Sequence, residues 1–536
     1  PLVVVNSEGL HIAVFEEGRS DGPTVLLVSG HPDSHTVWDP VVARLQDRFR
    51  IVRYDPRGVG DSSVPSGTAA YRVARLADDF AAVLAAISVD SDVHVVAHGW
   101  GSSAVWEHLT APRGGASVAS FTSVPGPDLA HLRRYLADSL RHPYRPRRFL
   151  RGAAQLGRLA SAAPQLLSDK QCRANLRGGT GGDLTVDIPV QLIVATADKH
   201  LGPHVYDDVP VTQLWRRDVK AGRDIVSSHP QVLARAVAEF VEHLGGAPAA
   251  RELRRAQVGR ARKPFTDNLV AVTGAGSGIG RETALAFARA GADVVISDID
   301  QQGLAETARR VAAESAEAHS YRLDVADAAA VEEFAAEVCA THGVPDVVVN
   351  NAGVGHAGFF LDTPAEEFDR VMDINFGGVV NGCRAFAPRL VERGTGGHIV
   401  NVASMASYTP VNVMNAYCTS KAAVFMFSDC LRAELDAAGV GLTTICPGVI
   451  GTNIVETTRF SLPQARLGDV DTVRGRARRG FSVRRYGPEK VAAAIVDAVV
   501  RKQAVRPVTF EAYAVYGVSH ALPQVMRSTA RGGNIL

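Results

Sequence analysis

Along the chain, short β-rich apolar runs alternate with stretches of helical period, and the alternation occurs in two series. In the first, apolar runs fall at 3–5, 11–15, 24–28, 50–54, 93–97, 117–123 and 190–195, and a helical pattern over 230–244 closes it. The second restarts at Leu269 and carries strand, turn and helix signals to about Val500. Between them lies GGAPAARELRRAQVGRARKP (245–264), with six basic residues against one acidic, which reads as a solvated connector. The pattern predicts two α/β domains, 1–244 and 265–536, each around a mostly parallel sheet and joined by a basic linker over 245–264. No internal repeat relates them.

Composition narrows the class. A chain of 536 residues is too long for one ordinary core, and 46% apolar with 21% charged residues is usual for soluble globular proteins. A net charge of +1 gives no pull toward nucleic acid or acidic membranes. No charged-then-apolar leader opens the chain and no apolar run approaches a membrane span. The six cysteines (172, 339, 383, 418, 430 and 446) lack metal-ligand spacing, so no metal is expected; reduced, mostly buried thiols in a cytoplasmic protein are.

The chemistry concentrates in the second series. NLVAVTGAGSGIGRETALAFARAG (268–291) sets a glycine-rich turn between an apolar strand and a helix. Gly274, Gly278 and Gly280 let the backbone turn tightly and approach a pyrophosphate at the helix N-terminus, beside Ser277 and Ile279. Eighteen residues after Gly280 the next strand ends at Asp298, followed by Ile299. A carboxylate there accepts from ribose hydroxyls and repels a 2′-phosphate, which favours NAD(H); Arg281 leaves room for NADP(H). VVVNNAG (347–353) ends a strand on Asn351, Ala352 and Gly353, suited to backbone contact beside adenine and ribose. Tyr417 and Lys421 lie four apart, on one face if helical, with Ser404 thirteen residues earlier on a loop after a strand. A phenol titrates near 10 and needs a fixed cation to work near neutrality, which Lys421 can supply. Ser404 can polarise a substrate oxygen, and Asn375 can hold a water that passes protons to Lys421.

With these motifs, residues 265 to about 520 resemble the short-chain dehydrogenase/reductases of the TGxxxGxG, NNAG and YxxxK type. The resemblance implies a doubly wound, Rossmann-type seven-stranded parallel sheet, in a homodimer or homotetramer. It makes Asn375, Ser404, Tyr417 and Lys421 the catalytic tetrad and Asp324-Val325 the pair flanking adenine. It gives Pro447, Gly448, Ile450 and Thr452 to the nicotinamide side. The family's substrate loop is long here (453–487), with seven arginines between Arg466 and Arg485, and reads as a mobile, solvated lid, with an anionic or phosphorylated substrate or a carrier-bound acyl group as the alternative. Met405, Tyr408, Val411, Val413 and Met414 are expected to line an apolar cleft, which favours a hydrophobic alcohol, ketone or imine.

The first series resembles the α/β-hydrolase fold, in its epoxide hydrolase branch. VAHGWGS (96–102) is one residue from that branch's HDWG nucleophile elbow, SGHPDSHTVW (29–38) parallels its HGxP loop, and YDPRGVGDSS (54–63) its DxRGxGxS segment. Asp198 stands where an acid orients the base. The nucleophile position, however, is Gly99, and the base position is Arg223, which stays protonated. Ser102 and Ser103 are expected to face into the helix, His98 to alternate away from the pocket, and His229 to begin the final helix. The lid (about 126–187) is short, holds the flexible stretch RGGTGGD (177–183), and keeps only Tyr135 and Tyr144 as tyrosines.

Together the halves resemble actinobacterial fusions of an epoxide-hydrolase-like domain with a short-chain dehydrogenase, which implies lipid or secondary-metabolite substrates. The leading expectation is one oxidoreductase activity with a non-catalytic first domain. Two alternatives stand beside it: a bifunctional enzyme with a hydrolase or dehydratase site in the first domain, which an Arg223–Asp198 ion pair would disfavour, and a small-molecule sequestering or resistance protein.

Overall fold

The computed structural model describes residues 2–6, 8–88, 92–111, 117–168, 174, 185–450, 458–461 and 486–532. They fall into two compact units, 1–260 and 261–536.

The first unit is built on eight strands: β1 (Leu2–Val5), β2 (His11–Gly18), β3 (Thr24–Val28), β4 (Arg50–Tyr54), β5 (Val93–Ala97), β6 (Val118–Ser123), β7 (Val186–Ala195) and β8 (Val211–Val219). Their order is β1-β2-β4-β3-β5-β6-β7-β8. The β1–β2 and β2–β4 pairs are antiparallel and the remaining pairs parallel. Alternate residues of β3 serve opposite cores. Leu26 and Val28 pack with Phe80 and Trp106 on one face; Val25 and Leu27 pack with Trp38, Val237 and Val241 on the other. This two-sided burial explains why the central strands are apolar throughout.

Sequence reading missed β8, because VTQLWRRDV carries two arginines. The structure disposes of both. Arg216 pairs with Asp207 and Asp218, whereas buried Arg217 binds Gln191, Glu239 and Glu252. Glu252 belongs to the expected linker, and here the expectation changes. Arg251–Ala256 forms a helix whose Leu253 and Ala256 are buried against Trp215 and Phe240. Gln257 bridges to Trp215 and Val258 N–H donates to the Leu214 carbonyl. Residues 251–256 of the charge run are therefore a docked helix, because its leucine and alanine positions complete an apolar cluster, whereas 257–264 stay largely exposed.

The second unit has a seven-stranded, all-parallel sheet formed by β9 (Leu269–Thr273), β10 (Asp293–Asp298), β11 (Ala318–Arg322), β12 (Val347–Asn350), β14 (Gly397–Val402), β15 (Val440–Cys446) and β17 (Val505–Pro507). The order β11-β10-β9-β12-β14-β15-β17 reverses direction between β9 and β12. In such sheets the crevice beyond the carboxyl ends of the strands at the reversal is where ligands bind. A short parallel pair, β13 (His356–Gly358) with β16 (Arg459–Ser461), stands apart from the main sheet. Val270 and Val272 face one core and Leu269 and Ala271 the other, the doubly wound arrangement expected.

Of the cysteines, Cys383 and Cys446 are buried, Cys339 and Cys418 half-buried and Cys430 exposed, all as free thiols, so burial is less general than expected. Cys172 and the RGGTGGD stretch lie outside the described residues. No helix among the described residues is long and apolar enough to cross a membrane.

Candidate active site

The glycine turn follows β9 and leads into the helix Gly278–Arg289. Gly274 has φ +66° and Gly278 φ +54°, a region that favours glycine. A methyl group at Gly280 would lie 2.1 Å from the Gly274 carbonyl oxygen and 2.5 Å from Asn351 Nδ2. That contact identifies the work of Asn351. Its Nδ2 donates to the carbonyls of Thr273 (3.0 Å) and Gly274 (3.3 Å), while Thr273 Oγ1 accepts from Asn351 and Ala352 N–H. The NNAG segment thus clamps the turn. Ser277 stands at the N-cap with no side-chain cap hydrogen bond, leaving the first-turn N–H groups to an anion.

Asp298, at the end of β10, accepts from Gly276 N–H at 2.8 Å and from Asp300 N–H at 3.0 Å. Ile299 beside it is 62% exposed, an apolar surface at the rim. Arg281, which sequence reading left open for a phosphate, is committed to the fold. Its guanidinium binds Thr307 Oγ1 and the carbonyls of Gly276 and Gly303. Asp324 is exposed, whereas Val325 is buried against Gly378. Ile279 is half-buried against the core, and Ile450 (5% exposed) belongs to the core itself. Met405 N–H donates to the Pro447 carbonyl, and a methyl on Gly448 would lie 2.1 Å from Thr509 Oγ1. Thr452 and most of the 453–487 loop lie outside the described residues.

Tyr417 and Lys421 project from the helix Asn415–Ala437, and Ser404 follows β14. Lys421 is 4% exposed, its Nζ donates to the Val402 carbonyl at 3.0 Å, and it lies 5.9 Å from the Tyr417 ring centroid. Burial lowers its pKa to about 8. Burial also raises the Tyr417 phenol, and a hydrogen bond from Ser404 offsets this in part. Desolvation dominates, and the phenol stays protonated at neutral pH. Gly353 keeps this corner open, since a methyl there would lie 3.1 Å from Asn375 Oδ1 and 3.4 Å from Lys421 Nζ.

Asn375 sits in a π-helical turn, Asp373–Gly377, between the helices Ala365–Met372 and Gly378–Arg393. Its buried amide accepts from Val354 N–H (2.7 Å) and donates to the Val354 carbonyl (3.0 Å) and Ser420 Oγ (3.1 Å). The side chain braces the backbone at Val354. Two expected cleft residues also move. Tyr408 donates to the Ala512 carbonyl and packs on Phe425 and Tyr516, and Val413 is 3% exposed. Met405, Val411 and Met414 stay half-buried.

In the first unit the elbow keeps its shape. Gly99 has φ +59° and ψ −128° between β5 and the helix Trp100–Leu109, and a methyl built on it meets nothing within 4 Å. Ser102 Oγ binds Ser123 and the Gly126 carbonyl, and Ser103 Oγ the Pro127 carbonyl, so both are structural. His98 departs from expectation, because its Nε2 reaches the Arg223 carbonyl oxygen at 3.0 Å. Among the described residues Arg223 forms no ion pair with Asp198; its Nη1 lies 3.5 Å from His200 Nδ1. His229 caps the final helix beside Ser228. Tyr135 is buried in the core and Tyr144 is 70% exposed. Tyr206, which sequence reading passed over because no motif surrounds it, lies within reach of the Asp198 charge and the Gly126 backbone.

Comparison with known proteins agrees with both halves. A short chain dehydrogenase family profile matches residues 268–461, and an alpha/beta hydrolase fold profile matches residues 23–172. A Mycobacterium tuberculosis protein described as "Probable oxidoreductase EphD" is 54% identical, with 99% of this chain and 98% of that one covered. Its alignment runs over 579 positions against the 536 residues here, so at least 43 of them face a gap in this chain. The mouse "Dehydrogenase/reductase SDR family member 7B" is 35% identical, over 46% of this chain and 74% of its own. A short chain dehydrogenase/reductase from Burkholderia phymatum, solved in complex with NAD, is 29% identical at a TM-score of 0.45, over 49% of this chain and 95% of its own. The chain therefore belongs to the short-chain dehydrogenase/reductase family, an oxidoreductase carried on one polypeptide with an α/β-hydrolase-fold domain.

Proposed function

We propose that the second domain transfers hydride between NAD(H) and a hydrophobic alcohol–ketone pair or imine, with lipid-like or secondary-metabolite substrates, and that the first domain takes no part in that chemistry. The grouping of Tyr417, Ser404, Lys421 and the Asn375 brace carries the reading. The open glycine turn, which Asn351 holds and a single methyl would close, fits a dinucleotide pyrophosphate. Asp298 at the turn disfavours a 2′-phosphate, and Arg281, spent on backbone carbonyls, offers it no counter-charge. The bound nicotinamide supplies or accepts the hydride.

The protein's own part is proton handling and orientation. Ser404 holds the phenol and polarises the substrate oxygen or nitrogen. Tyr417, kept protonated by burial, gives its proton to that atom during reduction. Lys421, mostly charged at neutral pH, favours the phenolate that results. Asn375 fixes the backbone at 354 and so the wall of the site. The non-catalytic reading of the first domain is supported by Gly99 and Arg223, neither of which can attack or accept a proton. Assembly as a homodimer or homotetramer in the cytoplasm completes the proposal.

The test is Tyr417→Phe against a panel of hydrophobic ketones, aldehydes and cyclic imines. Turnover should fall by roughly 10²–10⁴-fold with NADH affinity within a few-fold of the parent. Near-parental turnover in the variant would remove Tyr417 from the chemistry.

A further inference from the structure

Around the elbow of the first domain, three buried side-chain atoms have no satisfied hydrogen bond. Asp198 is 3% exposed. Its Oδ1 accepts from His200 and Leu201 N–H, and its Oδ2 has no partner. His98 is 7% exposed and directs Nε2 at the Arg223 carbonyl, so Nε2 carries the proton and Nδ1 offers a lone pair. The nearest charged atom to Nδ1, Asp33 Oδ2, is 3.9 Å away, beyond hydrogen-bond range. Burial lowers the His98 pKa and keeps the ring neutral. Tyr206 is 5% exposed, and its hydroxyl, near the Gly126 backbone, donates to no described group.

These groups belong to one place. His98 adjoins Gly99 in the chain. Gly126 is packed so tightly on the elbow that a methyl on it would lie 2.2 Å from the Gly99 carbonyl oxygen. Asp198 is joined to the same place by contacts: it accepts from His200 N–H at 2.7 Å, Arg223 Nη1 lies 3.5 Å from His200 Nδ1, and the Arg223 carbonyl meets His98 Nε2 at 3.0 Å; its charge acts on both His98 and Tyr206. The space a side chain at 99 would enter is open among the described residues. Buried polar groups left unmatched are costly, and they are normally matched by protein, water or ligand.

The set comprises two acceptors and one O–H donor, which is the complement of a primary carboxamide with its two N–H donors and one carbonyl. Charge narrows the class. Asp33 and Asp198 oppose an anion, and the Arg223 guanidinium beside His200 offsets part of their pull on a cation. We propose that the first domain is a binding site for a neutral small molecule bearing a primary carboxamide, held at the Gly99 elbow by Asp198 Oδ2, His98 Nδ1 and the Tyr206 hydroxyl. The loss of the nucleophile is then what makes room for the ligand.

Hexanamide, hexanoate and hexylamine, matched in length, are titrated into the full chain by calorimetry. Hexanamide should saturate, with the acid and the amine at least tenfold weaker. Asp198→Asn keeps the acceptor for His200 and Leu201 but turns the free acceptor into a donor, and should weaken hexanamide at least tenfold at an unchanged circular-dichroism spectrum. If that variant does not fold, Tyr206→Phe, which removes one hydroxyl, should weaken it several-fold. No saturable hexanamide binding overturns the proposal and leaves water as the occupant. So does tighter binding of the acid or amine, or equal affinity in parent and variants.

Discussion

Replacing Lys421 with methionine tests how its burial is paid for. The ammonium is 4% exposed, makes one hydrogen bond to the Val402 carbonyl, and titrates at about 8 instead of 10.5. Between pH 8 and 10.5 the unfolded chain therefore holds a proton that the folded domain does not, so stability rises with pH across that window. At 1.36 kcal/mol per pH unit, the cost of the buried charge is about 3 kcal/mol, present in full below pH 8 and gone above 10.5. The methionine variant lacks this term. It loses the bond to Val402 as well, a penalty of about 1–2 kcal/mol that does not vary with pH. Urea unfolding of parent and variant from pH 7 to 10.5 isolates the difference. All four tryptophans (Trp38, Trp100, Trp106 and Trp215) lie in the first unit, so their fluorescence is an internal reference, and the remaining circular-dichroism transition reports the second. The parent should gain about 3 kcal/mol on the variant across the window. A gap that stays constant within about 1 kcal/mol would mean that Lys421 titrates as an exposed lysine, and the desolvation argument would fail.

Arg281→Ala should weaken NADH about tenfold, because the guanidinium ties the carbonyls of Gly276 and Gly303 together, and should weaken NADPH by the same factor. A selective loss of NADPH in fluorescence titrations would show instead that Arg281 reads the phosphate. Leu253→Ala should destabilise the first unit by about 2–4 kcal/mol, as expected for a fully buried leucine, with a change in tryptophan emission since Leu253 packs on Trp215. An unchanged urea midpoint would restore the view of 245–264 as a solvated connector.

Much of the second domain was legible in the sequence because its requirements are local. A glycine turn that must pass under a pyrophosphate, and a tyrosine and lysine one helical turn apart, are short-range patterns. Each names its residue types without reference to distant parts of the chain. The elbow was legible for the same reason, since the turn at Gly99 is set by its neighbours, as was the presence of glycine at 99 and arginine at 223. Where a residue's role depends on what packs against it, the sequence carried less. Arg281 looked free until its carbonyl partners at Gly276 and Gly303 were placed. The bracing of Val354 by Asn375 shows only once the chain brings the two together. β8 was disguised by arginines whose partners lie in other elements, one of them in the docked helix 251–256. Tyr206 has no motif at all, and its place near the Gly126 backbone comes from chain segments folding together. Periodicity and turn chemistry act over a few residues and so determined the two folds and the glycine turn. Burial and hydrogen-bond partnership are set by contacts distant in sequence, and only the tertiary structure decided which charges are spent, which titrate early and which polar atoms remain to meet a ligand.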